Sequence, residues 1–221
     1  MKNIVVSDII KQNAPGFKGA AVSCSVINSE PDENLWKNID SLCLDIESKY
    51  QIDQINKRIE IKATRDAYKA LGKDPNRYRP SAESLCRRIV KEKSLYKINT
   101  LVDLINLVSI KSGYSIGGFD ENKIVGDTLT LTAGTADDLF HGIGRGVLNI
   151  ENLPLYKDDL GGIGTPTSDE ERTKLTLKTI KLLMVINGYD GGSKLKDTVD
   201  ESVALLKEYA NGDNFEIIFF D

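Results

Sequence analysis

The hydrophobic pattern of the chain changes period several times, and each change marks an element. Ala20–Ile27 (AAVSCSVI) is a run of small and β-branched residues, as in a strand buried on both faces. Leu35, Ile39, Leu42, Cys43 and Ile46 then recur at helical spacing and predict an amphipathic helix over Leu35–Lys49. A second helix is expected over Ile52–Leu71, closed by Gly72, with a loop across Lys73–Arg79. Pro80 suits the first turn of the next helix, where a missing N–H costs nothing, and Leu85, Cys86, Ile89 and Val90 make its apolar stripe. Thr100 can cap a following helix whose stripe is Leu101, Leu104, Ile105 and Val108, with Gly113 as its stop. Asn106 and Ser109 sit one turn apart on the opposite face of that helix, placed either for solvent or for a cleft.

The second half reads mainly as β structure. Asp127–Thr132 (DTLTLT) alternates like a half-buried strand, while Gly142–Gly146 and Gly161–Gly164 are turn-prone. The end reads β-α-β: Ile180–Ile186, a helix over Leu195–Tyr209, and Phe215–Phe220. Pro and Gly are spread evenly, without a linker or repeat, so the 221 residues are expected to form one domain. The fold class expected is α+β, with mixed sheets covered by helices.

Composition narrows the chemistry. The chain has 40% hydrophobic and 28% charged residues and no apolar run of membrane-spanning length, so a cytoplasmic protein without a membrane partner is expected. Three scattered cysteines and one histidine, His141, argue against a disulfide framework and a zinc centre; neither a metal nor a cofactor is expected. A net charge of −4 gives no reason to expect DNA. Yet residues 57–97 hold thirteen Lys/Arg against five Asp/Glu. That imbalance fits either a docking surface for phosphates or ordinary solvated helix faces.

Two glycine-rich pieces lack the spacing of nucleotide loops: GIGRG has no P-loop lysine and GGIG no wider GxGxxG frame. Asp158-Asp159 before Gly161-Gly162 could hold a cation or simply make a surface turn. SIGGFD, residues Ser115–Asp120, follows the helix bearing Asn106 and Ser109. Paired glycines there allow a ligand close to the backbone, or serve the geometry of a helix-to-strand turn. Ser168 and Glu171 have capping-box spacing within SDEERT.

The order RPSAESLCRRI, NLVSIKSGYSIGGFDENKIVG, KDDLGG and SDEERTK before the terminal β-α-β resembles the B3/B4 (editing) domain of the phenylalanyl-tRNA synthetase β subunit, in its freestanding form. The resemblance covers roughly residues 20–210 and implies a three-layer fold with a central pocket. It also implies hydrolysis of aminoacyl-tRNA mispaired elsewhere, with aminoacylated tRNA and a synthetase as partners, or non-catalytic binding of tRNA or an amino acid by the same pocket. Carried over by position, Asn106, Ser109, Ser115, Gly117 and Gly118 would line the pocket and Asp120 would fix the turn that follows. Arg79, Ser81 and Arg87 would lie in the RPS element, and Ser168, Asp169 and Arg172 on the pocket's other side. The expected chemistry is a positioned water oriented by Asn106 or Asp169, a carbonyl polarised by the Gly117 and Gly118 amides, and a terminal nucleotide held by Arg172 or Arg79. The synthetase-attached domain has a Pro-x-His pattern where this chain has Ser115, Ile116 and Gly117. The pocket histidine is therefore absent and tyrosine specificity does not carry over.

Overall fold

The computed structural model describes residues 1–91 and 93–221. In chain order, the first elements are β1 (Asn3–Val6), α1 (Asp8–Asn13), β2 (Lys18–Ser25), α2 (Glu33–Lys49) and α3 (Ile59–Ala70). Then come α4 (Ser81–Ile89), α5 (Thr100–Ser112), β3 (Ser115–Asp120) and β4 (Thr128–Ala133). A small hairpin, β5 (His141–Gly142) and β6 (Gly146–Val147), precedes β7 (Pro154–Asp158) and β8 (Gly161–Gly164). The last elements are β9 (Lys181–Gly188), α6 (Leu195–Ala210) and β10 (Asp213–Phe220).

Two four-stranded sheets stack under a helical layer. One has the order β10-β2-β9-β3 and is antiparallel throughout. The other, β1-β4-β7-β8, is mixed, since β1 runs parallel to β4. Alternation along the central strands divides the core. Ala20, Val22 and Cys24 of β2 and Leu182, Met184 and Ile186 of β9 face α2, α5 and α6. Ala21, Leu183 and Val185 face Leu129, Leu131 and Tyr156 of the second sheet. Strand β2 is buried from Gly19 to Cys24 because both of its faces are covered, which is why its sequence shows no polar alternation. The architecture is α+β in three layers, helices on sheet on sheet. The sheet that the helices cover is the antiparallel one, and the mixed sheet backs it.

Several boundaries differ from the sequence reading, each for a local reason. The helix expected over Ile52–Leu71 is broken into a 3-10 turn at Ile55–Lys57 and α3, because Arg58 is extended (φ −55°, ψ 134°). Its guanidinium is held by the Ile110 and Lys111 carbonyl oxygens at 2.8 and 3.0 Å, a tie across the fold that local propensity cannot show. Helix α5 is capped by Asn99, whose side chain accepts from the Val102 N–H at 3.0 Å, and Thr100 is already helical. Gly113 closes α5 in the left-handed region at φ 86°, where a side chain would be strained. GGIG, turn-prone by sequence, forms β8 against β7.

Candidate functional site

Strand β3 is the edge of the antiparallel sheet, and α5 packs across its face. Where α4, α5, β3 and the 165–175 segment meet, they leave a hollow of about 420 Å³. Its walls are apolar: Leu85 from α4, Val102 and Ile105 from α5, Ile116 from β3, and Ile143 and Leu175 from loops. A few polar side chains converge inside, among them Ser81, Asn106, Ser168 and Asp169. An apolar cavity of this size with few polar groups is the usual form of a small-ligand site.

Glycines make the room. A Cβ at Gly118 would stand 2.4 Å from Ile105 Cδ1 and 3.1 Å from Leu175 Cδ1, so any side chain there would crowd both walls. A Cβ at Gly117 or Gly164 would lie 3.3 or 2.9 Å from Asp169 Oδ1, and closer still to the Phe119 ring. The glycines of SIGGFD and GGIG thus let one carboxyl group lie flat against two strands.

That carboxyl group is the chemical centre of the pocket. Asp169 Oδ2 accepts the Gly118 N–H at 3.2 Å. No cation is paired with it among the described residues. Asp169 is only partly buried, since the cavity opens onto it. Protein still encloses the carboxyl enough for desolvation to push it up to about 7, with the Gly118 N–H opposing the rise. A carboxyl group that titrates near neutrality can take a proton from water or pair with an ammonium group.

The remaining expected site residues divide into those at the pocket and those held elsewhere. Asn106 lines the pocket, and no hydrogen bond engages its side-chain amide among the described residues. Ser81 lines it at the start of α4, where its N–H is bound to the Pro166 carbonyl oxygen at 2.8 Å. Ser168 lines it as well. Ser109 lines it, but its hydroxyl donates to the Tyr114 carbonyl oxygen at 2.7 Å and so ties α5 to β3.

The others are engaged within the protein or lie away from the hollow, Asp120 in the turn where it was placed and the rest away from the roles expected of them. The Gly118 N–H is taken by Asp169, and antiparallel alternation then turns the Gly117 N–H inward toward β9, so neither amide is free for a substrate oxygen. Ser115 is buried beneath the start of α4 and does not line the hollow. Asp120 accepts from the Asn122 N–H and the Thr179 hydroxyl, at 3.2 and 3.0 Å, within the turn after β3. Arg172 is bound in two-pronged fashion to Asp158, with both N–O distances 2.9 Å, and also donates to the Lys123 carbonyl oxygen. The guanidinium holds Asp158 below the usual carboxylate range against the opposing effect of burial, and it occupies the carboxylate that had suggested a cation site. Arg87 donates to the Ile52 carbonyl oxygen at 3.1 Å and lies 3.6 Å from Glu83. Arg79 is exposed and does not line the hollow.

Four pocket residues carried too little signal to be chosen. Ile143 was one apolar residue inside GIGRG, and its N–H is bound to the Asp169 carbonyl oxygen at 3.0 Å. Thr165 and Leu175 flank the SDEERT stretch without any motif of their own, and Lys174 ends the SDEERTK stretch. Lys174 reaches the rim, paired with Glu171 at 2.5 Å. Cys24 lies outside the pocket, and burial pushes its thiol up to about 12. Among the described residues no three His, Cys, Asp or Glu side chains converge as a metal site would need.

Fold and hollow together describe a ligand-pocket domain built on two stacked sheets. A family model for the B3/4 domain matches residues 63–209, and the chain belongs to that family. The structure resembles the crystal structure of an N-terminal fragment of the phenylalanyl-tRNA synthetase β-subunit from Pyrococcus horikoshii, with a TM-score of 0.52 and 14% identity. The alignment covers 97% of this chain and 50% of that one, so the protein spans about half the length of the fragment. No curated protein matches the chain. Nor is any helix of the described residues long and apolar enough to cross a membrane.

Proposed function

We propose that the protein is a tRNA-linked hydrolase that removes amino acids from tRNAs charged by another enzyme. The observation that carries this reading is the placement of the Asp169 carboxyl, held by the Gly118 N–H and without a paired cation among the described residues, in an apolar hollow of small-ligand size. Family membership and the synthetase-like fold support tRNA as the carrier of the acyl group. An aminoacyl ester is already activated, so a held water and a polar contact to the carbonyl suffice, without a covalent intermediate. In its ionised form Asp169 takes a proton from that water as it attacks the ester carbon. The electrons of the broken acyl bond leave with the ribose oxygen, which acquires a proton. Asn106 and Ser81 are the pocket donors that can face the carbonyl oxygen, in place of the Gly117 and Gly118 amides. The apolar walls select by size, and a single methylene there is worth only about 1–3 kcal/mol of discrimination.

One observation favours a second reading, a module that binds charged tRNA or an amino acid without cleaving it. The backbone amides nearest Asp169 are already committed, which leaves few groups to stabilise a developing oxyanion. Incubation of the pure protein with a panel of mischarged tRNAs separates the two. Amino acid released in proportion to protein, and lost in Asp169→Asn, supports hydrolysis. Retention or protection of every charged tRNA refutes hydrolysis and leaves binding.

A further inference from the structure

A second hollow, of about 530 Å³, opens at the C-terminal end of α5 where it meets the end of α2 and the start of α3. Lys49, Lys57, Arg58, Lys111 and Lys194 line it, with Glu60 as the one acid among its lining residues. These cations come from positions 49 to 194, so no run of sequence announces them. The basic run at 57–97 contributes only Lys57 and Arg58. Several of its other members turn inward or are tied down, such as Arg65 on Glu83 at 2.7 Å and Lys73 beneath the Asn149 and Glu151 carbonyls.

Each lysine of the cleft has an acidic partner, three of these partners from outside the lining, and Arg58 is the one cation of the cleft without a carboxylate among the described residues. Glu60 is buried and already paired with Lys194 at 2.5 Å. Asp45, Asp53 and Glu201 meet Lys49, Lys57 and Lys111 from outside the lining, at 3.3, 2.9 and 2.5 Å. The three lysine side chains are 57–66% exposed, so each of these pairs is weak in water and gives way readily to a phosphate. Arg58 is the fixed cation. Carbonyl oxygens at the end of α5 hold it, and it lies 5.5 Å over the Tyr50 ring. It also offsets the negative end of the α5 dipole, which would otherwise oppose an anion. Helix α3 starts at the same place without a side-chain cap, so its first N–H groups add to the positive field.

We propose that this cleft binds the phosphodiester backbone of tRNA, and the inference rests on the reading above only in taking tRNA as the partner. Four of the five cations are lysines on long, mobile stems, which suit successive phosphates better than one tightly coordinated anion. Ser109 of the first hollow and Lys111 of the cleft are two residues apart on α5. Those two residues are about 3 Å apart along the axis and about 200° apart around it, so the hollow and the cleft lie on different faces of one helix. A tRNA held at the cleft would be anchored away from the acyl pocket, and the apolar hollow would be spared any phosphate contact.

The test is binding of uncharged tRNA over a salt series, for the wild type, the double variant Lys57→Ala/Lys111→Ala, and Lys178→Ala as a surface control outside the cleft. Both cleft lysines are exposed, and circular dichroism checks that the fold survives. The double variant is expected to bind more weakly and to flatten the log–log salt slope by roughly 0.7–0.9 for each lost contact, while the control keeps the wild-type slope. Equal slopes in the wild type and double variant overturn the proposal. So does a cleft that takes inorganic phosphate without competition from tRNA. No ester is cleaved in this measurement, so it stands apart from the deacylation assay. Salt-sensitive binding with every aminoacyl ester intact would sink the hydrolase reading and keep the cleft, and deacylation with an unaltered slope would do the reverse.

Discussion

Replacing Asp169 by Asn should make the protein more stable and less active at once, and the pH dependence ties the two effects together. The carboxyl moves from 3.8 in the unfolded chain to about 7 in the fold because burial disfavours its charged form. Between those values the folded state binds more protons than the unfolded state, so stability falls as pH rises through the window. The full displacement corresponds to about 4 kcal/mol, complete above pH ~7 and absent below pH ~4. Asparagine has nearly the same shape and can still accept the Gly118 N–H, but it carries no charge to desolvate. Urea unfolding of both proteins should therefore give similar midpoints near pH 4, with the variant gaining several kcal/mol by pH 8. Hydrolysis of a charged tRNA should follow the opposite course. The wild-type rate rises with pH through about 7 as Asp169 ionises, and the variant loses on the order of a hundredfold or more. A stability difference independent of pH would show that Asp169 is not desolvated. Full activity in the variant would remove it from the chemistry.

Three further outcomes follow from other contacts in the fold. Arg172→Ala leaves the Asp158 carboxylate, whose side chain is 0% exposed, without its cation; it should cost about 3 kcal/mol in urea unfolding. Its KM for charged tRNA at a temperature where it stays folded should not change, and a large rise in KM would return Arg172 to substrate binding. Gly118→Ala drives a methyl group against Ile105 and Leu175, so it should cost roughly 1–3 kcal/mol and reject the bulkier acyl groups first in the mischarged panel. Trp36→Phe removes the 2.7 Å indole N–H bond to buried Asp103, which keeps only the Ile98 N–H, and should lower the unfolding free energy by about 1–3 kcal/mol.

Elements stabilised by their own residues were legible in the chain. The α2 and α6 stripes, the buried β2 run, the alternation of β4 and the Gly113 stop all follow from periodicity and backbone preference within a few residues. Differences arose where a distant group settles the local conformation. Arg58 breaks a helix pattern because carbonyls at 110 and 111 claim its guanidinium. GGIG becomes a strand because β7 pairs with it and its missing side chains make way for Phe119, Leu155 and Asp169.

The candidate site divides in the same way. Sequence order and resemblance singled out Asn106, Ser109, Gly118, Ser168 and Asp169, but gave Arg172, Arg87 and the Gly117 amide a role that their partners forbid. Residue types and spacings fixed the elements and the stock of polar groups, because those depend on short-range sterics and on which faces shed water. Only tertiary structure decided which groups are left over for a ligand. A hydrogen bond or ion pair made across the fold consumes one candidate, while burial without a paired cation raises another, Asp169, to a proton affinity that suits neutral pH.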